Sequence, residues 1–213
     1  MKQFIKNNFT KEKTLPLLLT GFVILADQIT KAIIVKIQPY YGLIKDVFNN
    51  DFLWIFHVRN KAVAFSLGET LPELLKPVIF IVVPVLVLIF LIWYYFKSDE
   101  FNQLQRWAAA CIIGGGFGNI IDRIFRPDGV VDFVSVRFYG IFGMDRWPTF
   151  NVADSAVVAG CITLFISMLV IPQKPLKTEE VKEEAKEEIV PEGAITDGIE
   201  SQEIISEETG IDE

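Results

Sequence analysis

Twenty consecutive residues, 77–96 (PVIFIVVPVLVLIFLIWYYF), carry no charged side chain. A helix crossing a bilayer needs about 20 mostly apolar residues. Three further stretches repeat the pattern: 155–171 without a charge, 107–121 rich in small residues, and 15–37, interrupted by Asp27 and Lys31. The expected fold is a mainly α membrane protein with four transmembrane helices, at about 15–37, 75–96, 107–125 and 154–171. Pro84 predicts a kink, and Tyr94 and Tyr95 beside Trp93 predict an interfacial aromatic belt. The first stretch imitates a secretory leader, with lysines 2, 6, 11 and 13 ahead of an apolar run and Leu25-Ala26 where a cut could fall. The apolar pattern resumes after Asp27, so an uncleaved helix is expected.

Charge separates the chain into two parts. Hydrophobic residues make up 51% of it, yet the formal charge is -7. Residues 178–213 hold 14 Asp/Glu against two Lys, whereas residues 1–177 hold 18 Lys/Arg against 13 Asp/Glu. The expected organisation is a membrane domain over 1–172 and an acidic, disordered cytoplasmic tail over 173–213. One histidine, His57, rules out HExxH zinc chemistry, and Cys111 and Cys161 form no CxxC pair. No metal, cofactor or nucleic-acid partner is expected.

Four spans put both termini on one side. The lysines before the first helix, with Lys97, Arg106, Lys174 and Lys177, favour the cytoplasmic side, while the opposite loops carry Lys45, Arg59, Lys61, Arg123, Arg126, Arg137 and Arg146, so the bias lies near the ends. Outer loops then cover about 38–74 and 126–153. Both are rich in β-formers, at 52–58 after an Asn49-Asn50-Asp51 turn and at 130–142, which predicts a small extracytoplasmic sheet.

Polar residues inside a membrane are costly unless paired, so each is informative. Asp27 and Lys31 stand at i and i+4 and share a helix face. Either an internal ion pair or an aspartate facing a functional cavity fits them. The glycines at 114–116 and 118 have no preceding strand and no GKS/T after them, so they read as close helix contacts rather than a phosphate loop. Asn119, Asp122 and Arg123 follow on neighbouring faces of the third helix. Asp132 is embedded among apolar β-formers, and Asp154 stands where the fourth helix begins, with Asn151 as an alternative cap. Asp122, Asp132 and Asp154 should all lie near the outer membrane face. Two close carboxylates in a partly dry site hold one proton between them, which permits peptide hydrolysis without metal or nucleophilic side chain. Spacing alone does not choose Asp132 over Asp122.

Five segments in order, LADQITK (25–31), NKAVAF (60–65), GGGFGNIIDR (114–123), VVDF (130–133) and FNVADS (150–155), resemble bacterial lipoprotein signal peptidase, signal peptidase II. With the four spans, the resemblance covers about 15–171. It implies an aspartyl membrane endopeptidase of the bacterial cytoplasmic (inner) membrane. Such an enzyme removes signal peptides from prolipoproteins, cutting before the diacylglyceryl-modified cysteine near the extracytoplasmic face. It implies that Asp132 and Asp154 are catalytic, that Asn119, Arg123 and Asn151 line the site, and that Asp27 and Asn60 support it. Prolipoprotein substrates and membrane lipid are the implied partners. The chain departs from the family at Ala62, where a glycine is frequent. A transporter would be expected to show internal repeats, and none is evident. A GxGD protease would need aspartate where Asn119 stands, and a non-catalytic assembly factor would not need Asp132 or Asp154.

Overall fold

The computed structural model describes residues 10–39, 41–60, 72 and 74–170. The acidic segment from 173, lysines 2 and 6, and the stretch containing Ala62 lie outside them. Among the described residues, four helices are long and apolar enough to cross a membrane. They are the spans Lys11–Ile37, Val78–Lys97, Gln103–Phe125 and Val152–Val170, whose α-helical parts are α1 (Leu17–Ile37), α2 (Val83–Lys97), α3 (Gln103–Phe125) and α4 (Val152–Val170). A single turn, Lys11–Thr14, precedes α1, and a π-helical turn, Val78–Val82, leads into α2. The π-turn is the local answer to Pro84. Proline offers no N–H to the preceding turn, and widening that turn accommodates the lost hydrogen bond.

The third helix begins at Gln103, four residues ahead of the expected 107. Asn102 and Gln105 form a reciprocal capping box there, a polar signal that precedes the apolar run. The fourth begins at Val152 rather than 154. The expected aromatic belt is also corrected. Trp93 faces outward, but Tyr95 is fully buried and its hydroxyl donates to the Lys13 carbonyl at 2.7 Å. Lys13 in turn reaches the Phe96 carbonyl at 2.9 Å, tying the start of the chain's first span to the end of α2.

Helix α3 is the centre of the bundle, and its glycines explain how. A Cβ at Gly115 would lie 2.3 Å from the Ala153 carbonyl oxygen and 2.7 Å from Val157 of α4. At Gly118 it would lie 2.7 Å from Asp27 Oδ2 on α1. Backbone-to-backbone approach of this kind is what small residues permit in membranes. We therefore expect Gly115→Ala to push α4 away, costing about 1–3 kcal/mol of stability. Thermal melting of the two proteins side by side checks the effect.

Beyond the helices stands a three-stranded antiparallel sheet in the order β1 (Gly42–Asp46), β2 (Leu53–Asn60), β3 (Val130–Val136). The sequence pointed to the second and third strands but not to GLIKD as β1. The Asn49–Asp51 turn joins β1 to β2, with Asn49 and Asp51 at positive φ, a region Asn and Asp tolerate. Val131 and Phe133 pack with Ile34 of α1, so the sheet's inner face closes on the bundle. His57 lies in β2, fully buried, with Nδ1 hydrogen-bonded to the Gln38 carbonyl. Cys161 is exposed on α4 and Cys111 half-buried on α3, both as free thiols.

Candidate functional site

Strand alternation accounts for Asp132. Its neighbours Val131 and Phe133 join the core against α1, so a residue between them projects to the other face. There Asp132 is 2% exposed. Its Oδ2 accepts from Asn60 Nδ2 at 3.0 Å and its Oδ1 from Asn151 Nδ2 at 2.7 Å. Asn60 terminates β2 and Asn151 immediately precedes α4, so three separate segments converge on this carboxylate.

Asp154 arrives by helix capping. Asn151 Oδ1 accepts from the Asp154 N–H at 2.9 Å, and Asp154 Oδ2 accepts from the Asn151 N–H at 3.1 Å. This reciprocal pair is a capping box in which Asn151 is the cap and Asp154 the third helical residue. The remaining oxygen, Asp154 Oδ1, accepts from Asn119 Nδ2 at 2.7 Å. Asn119 Oδ1 is itself bonded by Asn151 Nδ2 at 3.1 Å. Asn151 thus touches both carboxylates, through its side chain on one side and its backbone on the other.

Behind them lies a buried charge cluster. Lys31 Nζ is 2.8 Å from Asp27, 3.1 Å from Asp122 and 3.1 Å from Asn119 Oδ1, and all three charged side chains are fully buried. Arg126 also pairs with Asp122. Two cations and two anions therefore compensate one another, which is the condition for burying them. The open question about Asp27 and Lys31 is answered in favour of an ion pair, but one that reaches across helices. Asp27 Oδ1 accepts the Ala153 N–H of α4 at 3.0 Å, and Asp122 Oδ2 accepts the Val131 N–H of β3 at 3.1 Å. Asp27 thereby fixes the backbone next to Asp154, and Asp122 the backbone next to Asp132. Gln28, which the sequence reading did not single out, bridges Asp27, the Gly118 carbonyl and Asp122 within 3.1 Å. Its signal was available as a polar residue inside an apolar span.

Arg123 is half-buried, and its charge acts first on Asp154, then on Asp132 and Asp122. Among the described residues it makes no ion pair within 4.0 Å. A cleft of about 760 Å³ opens beside Asp154 and Asn119, walled by Trp147, Phe150 and the α4 residues Val158 and Ile162. Burial, and then the charge of Asp154, push Asp132 up to about 7, against the opposing pull of Asn60, Asn151 and Lys31. No group of three or more metal-ligating side chains occurs among the described residues.

Two carboxylates thus share the ligand Asn151 at one end of the helices, and the sequence profile described as "Signal peptidase (SPase) II" matches residues 19–170. The chain belongs to the signal peptidase II family. The lipoprotein signal peptidase of Treponema pallidum is 42% identical over 159 residues, covering 75% of this chain and 85% of that protein. That of Treponema denticola is 44% identical over 172 residues, covering 80% and 98%. A solved bacterial membrane enzyme superposes with a TM-score of 0.62 at 30% identity, over 75% of this chain and 95% of its own. This signal peptidase is accordingly a multi-pass bacterial membrane protein and an aspartic peptidase, hydrolysing the bond that joins a signal peptide to the protein behind it.

Proposed function

We propose that Asp132 and Asp154 are the catalytic pair, and that the substrate is a lipoprotein precursor cut just before its diacylglyceryl-modified cysteine. The observation that supports this is the double contact of Asn151, which binds one carboxylate by its amide and the other by its main chain. Asp132, raised to about 7, holds the proton. Asp154 takes a proton from water as the water oxygen adds to the scissile carbonyl carbon. Asp132 passes its proton to the carbonyl oxygen, giving a neutral gem-diol. Collapse returns that proton to Asp132, breaks the C–N bond, and transfers the proton on Asp154 to the departing amine. The apolar cleft beside the pair suits a signal helix and acyl chains, while the adjoining sheet gives the reacting bond access to water.

Asn119, Asn151, Asn60 and Asp27 hold the pair in place, and Arg123 adds positive charge beside it. The peptidase unit is residues 1–172, with the acidic segment beyond it cytoplasmic. Both termini are cytoplasmic and the site is extracytoplasmic. Lys13, Lys97 and Arg106 gather at the end of the bundle away from the pair, which supports that end being cytoplasmic by the positive-inside rule, against Arg126, Arg137 and Arg146 at the other end. A cysteine at 128, an exposed position, should be labelled from outside and one at 100 only from the cytoplasm. The reverse pattern overturns the orientation.

The deciding experiment is cleavage of a purified diacylglyceryl-modified prolipoprotein beside the same precursor without lipid. Cleavage confined to the lipidated form supports the reading; equal cleavage of both removes the lipid requirement. The pH profile offers an independent check. A proton on Asp132 is required, so kcat/KM should fall as pH rises through about 7. Asn60 favours the charged form, so Asn60→Ala should move that limb to higher pH. An unmoved limb would detach it from Asp132.

A further inference from the structure

Between β3 and α4 the chain makes an excursion that peptide hydrolysis does not use. Arg137 and Arg146 form an antiparallel bridge, and the Phe138 N–H donates to the Asp145 carbonyl at 2.7 Å. The Gly140 N–H donates to Met144 at 3.0 Å, closing a tight hairpin tip. That tip turns its largest apolar side chains outward. Phe142 is 86% exposed, Tyr139 65% and Ile141 52%. Tyr139 and Phe142 both have positive φ, 53° and 54°, a conformation bulky residues avoid. Two aromatics are held in an unfavourable backbone region and leave most of their surface exposed, where water gives them no compensation.

The patch is continuous with a lipid-facing surface. Phe142 contacts Phe138 at 6.4 Å between ring centroids, and Phe138 contacts Trp147 at 5.1 Å. Trp147 walls the cleft together with Val158 and Ile162, which are exposed on the outer side of α4, a spanning helix. An apolar track therefore runs from the bilayer side of α4, past the cleft mouth, to the hairpin tip. Trp147 stands five residues before Val152, so the chain cannot stray more than about 18 Å from the start of that helix. Charges stay behind the tip: Arg137 pairs with Asp51 at 3.5 Å and Asp145 at 3.7 Å, with its guanidinium 5.4 Å from the Tyr139 ring centroid. An apolar aromatic end with a charged collar has the composition of an interfacial anchor.

We propose that the 137–146 hairpin seats Tyr139, Ile141 and Phe142 in the interfacial layer of the bilayer, holding the cleft mouth level with the acyl-chain boundary. The proposal rests on membership of a membrane-enzyme family and not on the identity of the catalytic pair.

The test uses the full chain in phosphatidylcholine vesicles, with Cys111 and Cys161 replaced by serine and a spin label at Phe142→Cys. A label at Ile162→Cys serves as the lipid-exposed reference. The label at 142 should collide more with dissolved oxygen than with a water-soluble nickel chelate, as the reference does. Preferential collision with nickel overturns the proposal. So does spin–spin broadening that disappears on dilution with unlabelled protein, which would make the tip a contact between copies. As a functional readout, Phe142→Ser, alone and with Tyr139→Ser and Ile141→Ser, should raise the apparent KM in vesicles by about fivefold or more. The effect should be absent in detergent micelles and kcat should be unchanged. An unchanged KM in vesicles overturns the functional part, while loss of label insertion overturns the anchor itself.

Discussion

Asp132→Asn and Asp154→Asn should each lower kcat by on the order of 10³-fold or more, with only a few degrees' change in Tm. An amide has nearly the shape of a carboxylate and keeps one acceptor oxygen. At 132 the retained oxygen can keep the Asn151 amide while the Asn60 amide reorients, and at 154 the retained oxygen can keep the Asn151 N–H. What the amide cannot do is exchange the proton that the proposed mechanism requires. On the proposal that the two acids act as one unit, the double variant should be little worse than either single one. Full additivity would mean independent roles. Near-wild-type turnover of either folded single variant would remove that residue from the pair.

The second large effect concerns stability. Lys31→Met should cost about 3–5 kcal/mol, because it leaves buried carboxylates without their compensating cation. In a chain of this size that is a fall in Tm on the order of 10 °C. Asp27 suffers most, for Asp122 still has Arg126, whereas Asp27 keeps only the Ala153 N–H and Gln28. Adding Asp27→Asn should restore much of the loss, since a neutral amide no longer needs a counter-charge. Thermal melting of the wild type, the two single variants and the double variant gives the coupling energy directly. A Lys31→Met protein as stable as wild type would show that the cluster is not compensated through lysine.

Lys31 also illustrates the limits of reading along the chain. The i, i+4 spacing with Asp27 marks an ion pair within one helix. It contains nothing about Asp122, ninety-one residues further on, because that contact depends on how α1 and α3 pack. Gln28 shows the same limit: its polarity inside an apolar span is visible along the chain, but its partners on α3 come within reach only in the fold. Asp122 was ambiguous by spacing, and the tertiary contacts place it as the residue that fastens β3 to the bundle through the Val131 N–H.

Other features were legible because their causes are local. The uncharged runs dictate four spanning helices, since a bilayer accepts little else of that length. Asn151 and Asp154 announce a helix start by capping chemistry alone, and the glycines of α3 announce close packing. Helix ends were less legible where polar residues extend the helix beyond its apolar run, as the Asn102 capping box does. Strand β1, five residues with two charges, carries little periodic signal and is specified by its partner β2. Sequence by itself determined the spans, the presence of a sheet and the set of candidate acids, because hydropathy and capping act over a few residues. Only the tertiary structure decided which acids share Asn151, which serve the buried lysine and which side chains wall the cleft. Those assignments are distances between segments that the chain brings together only when the helices and the sheet pack.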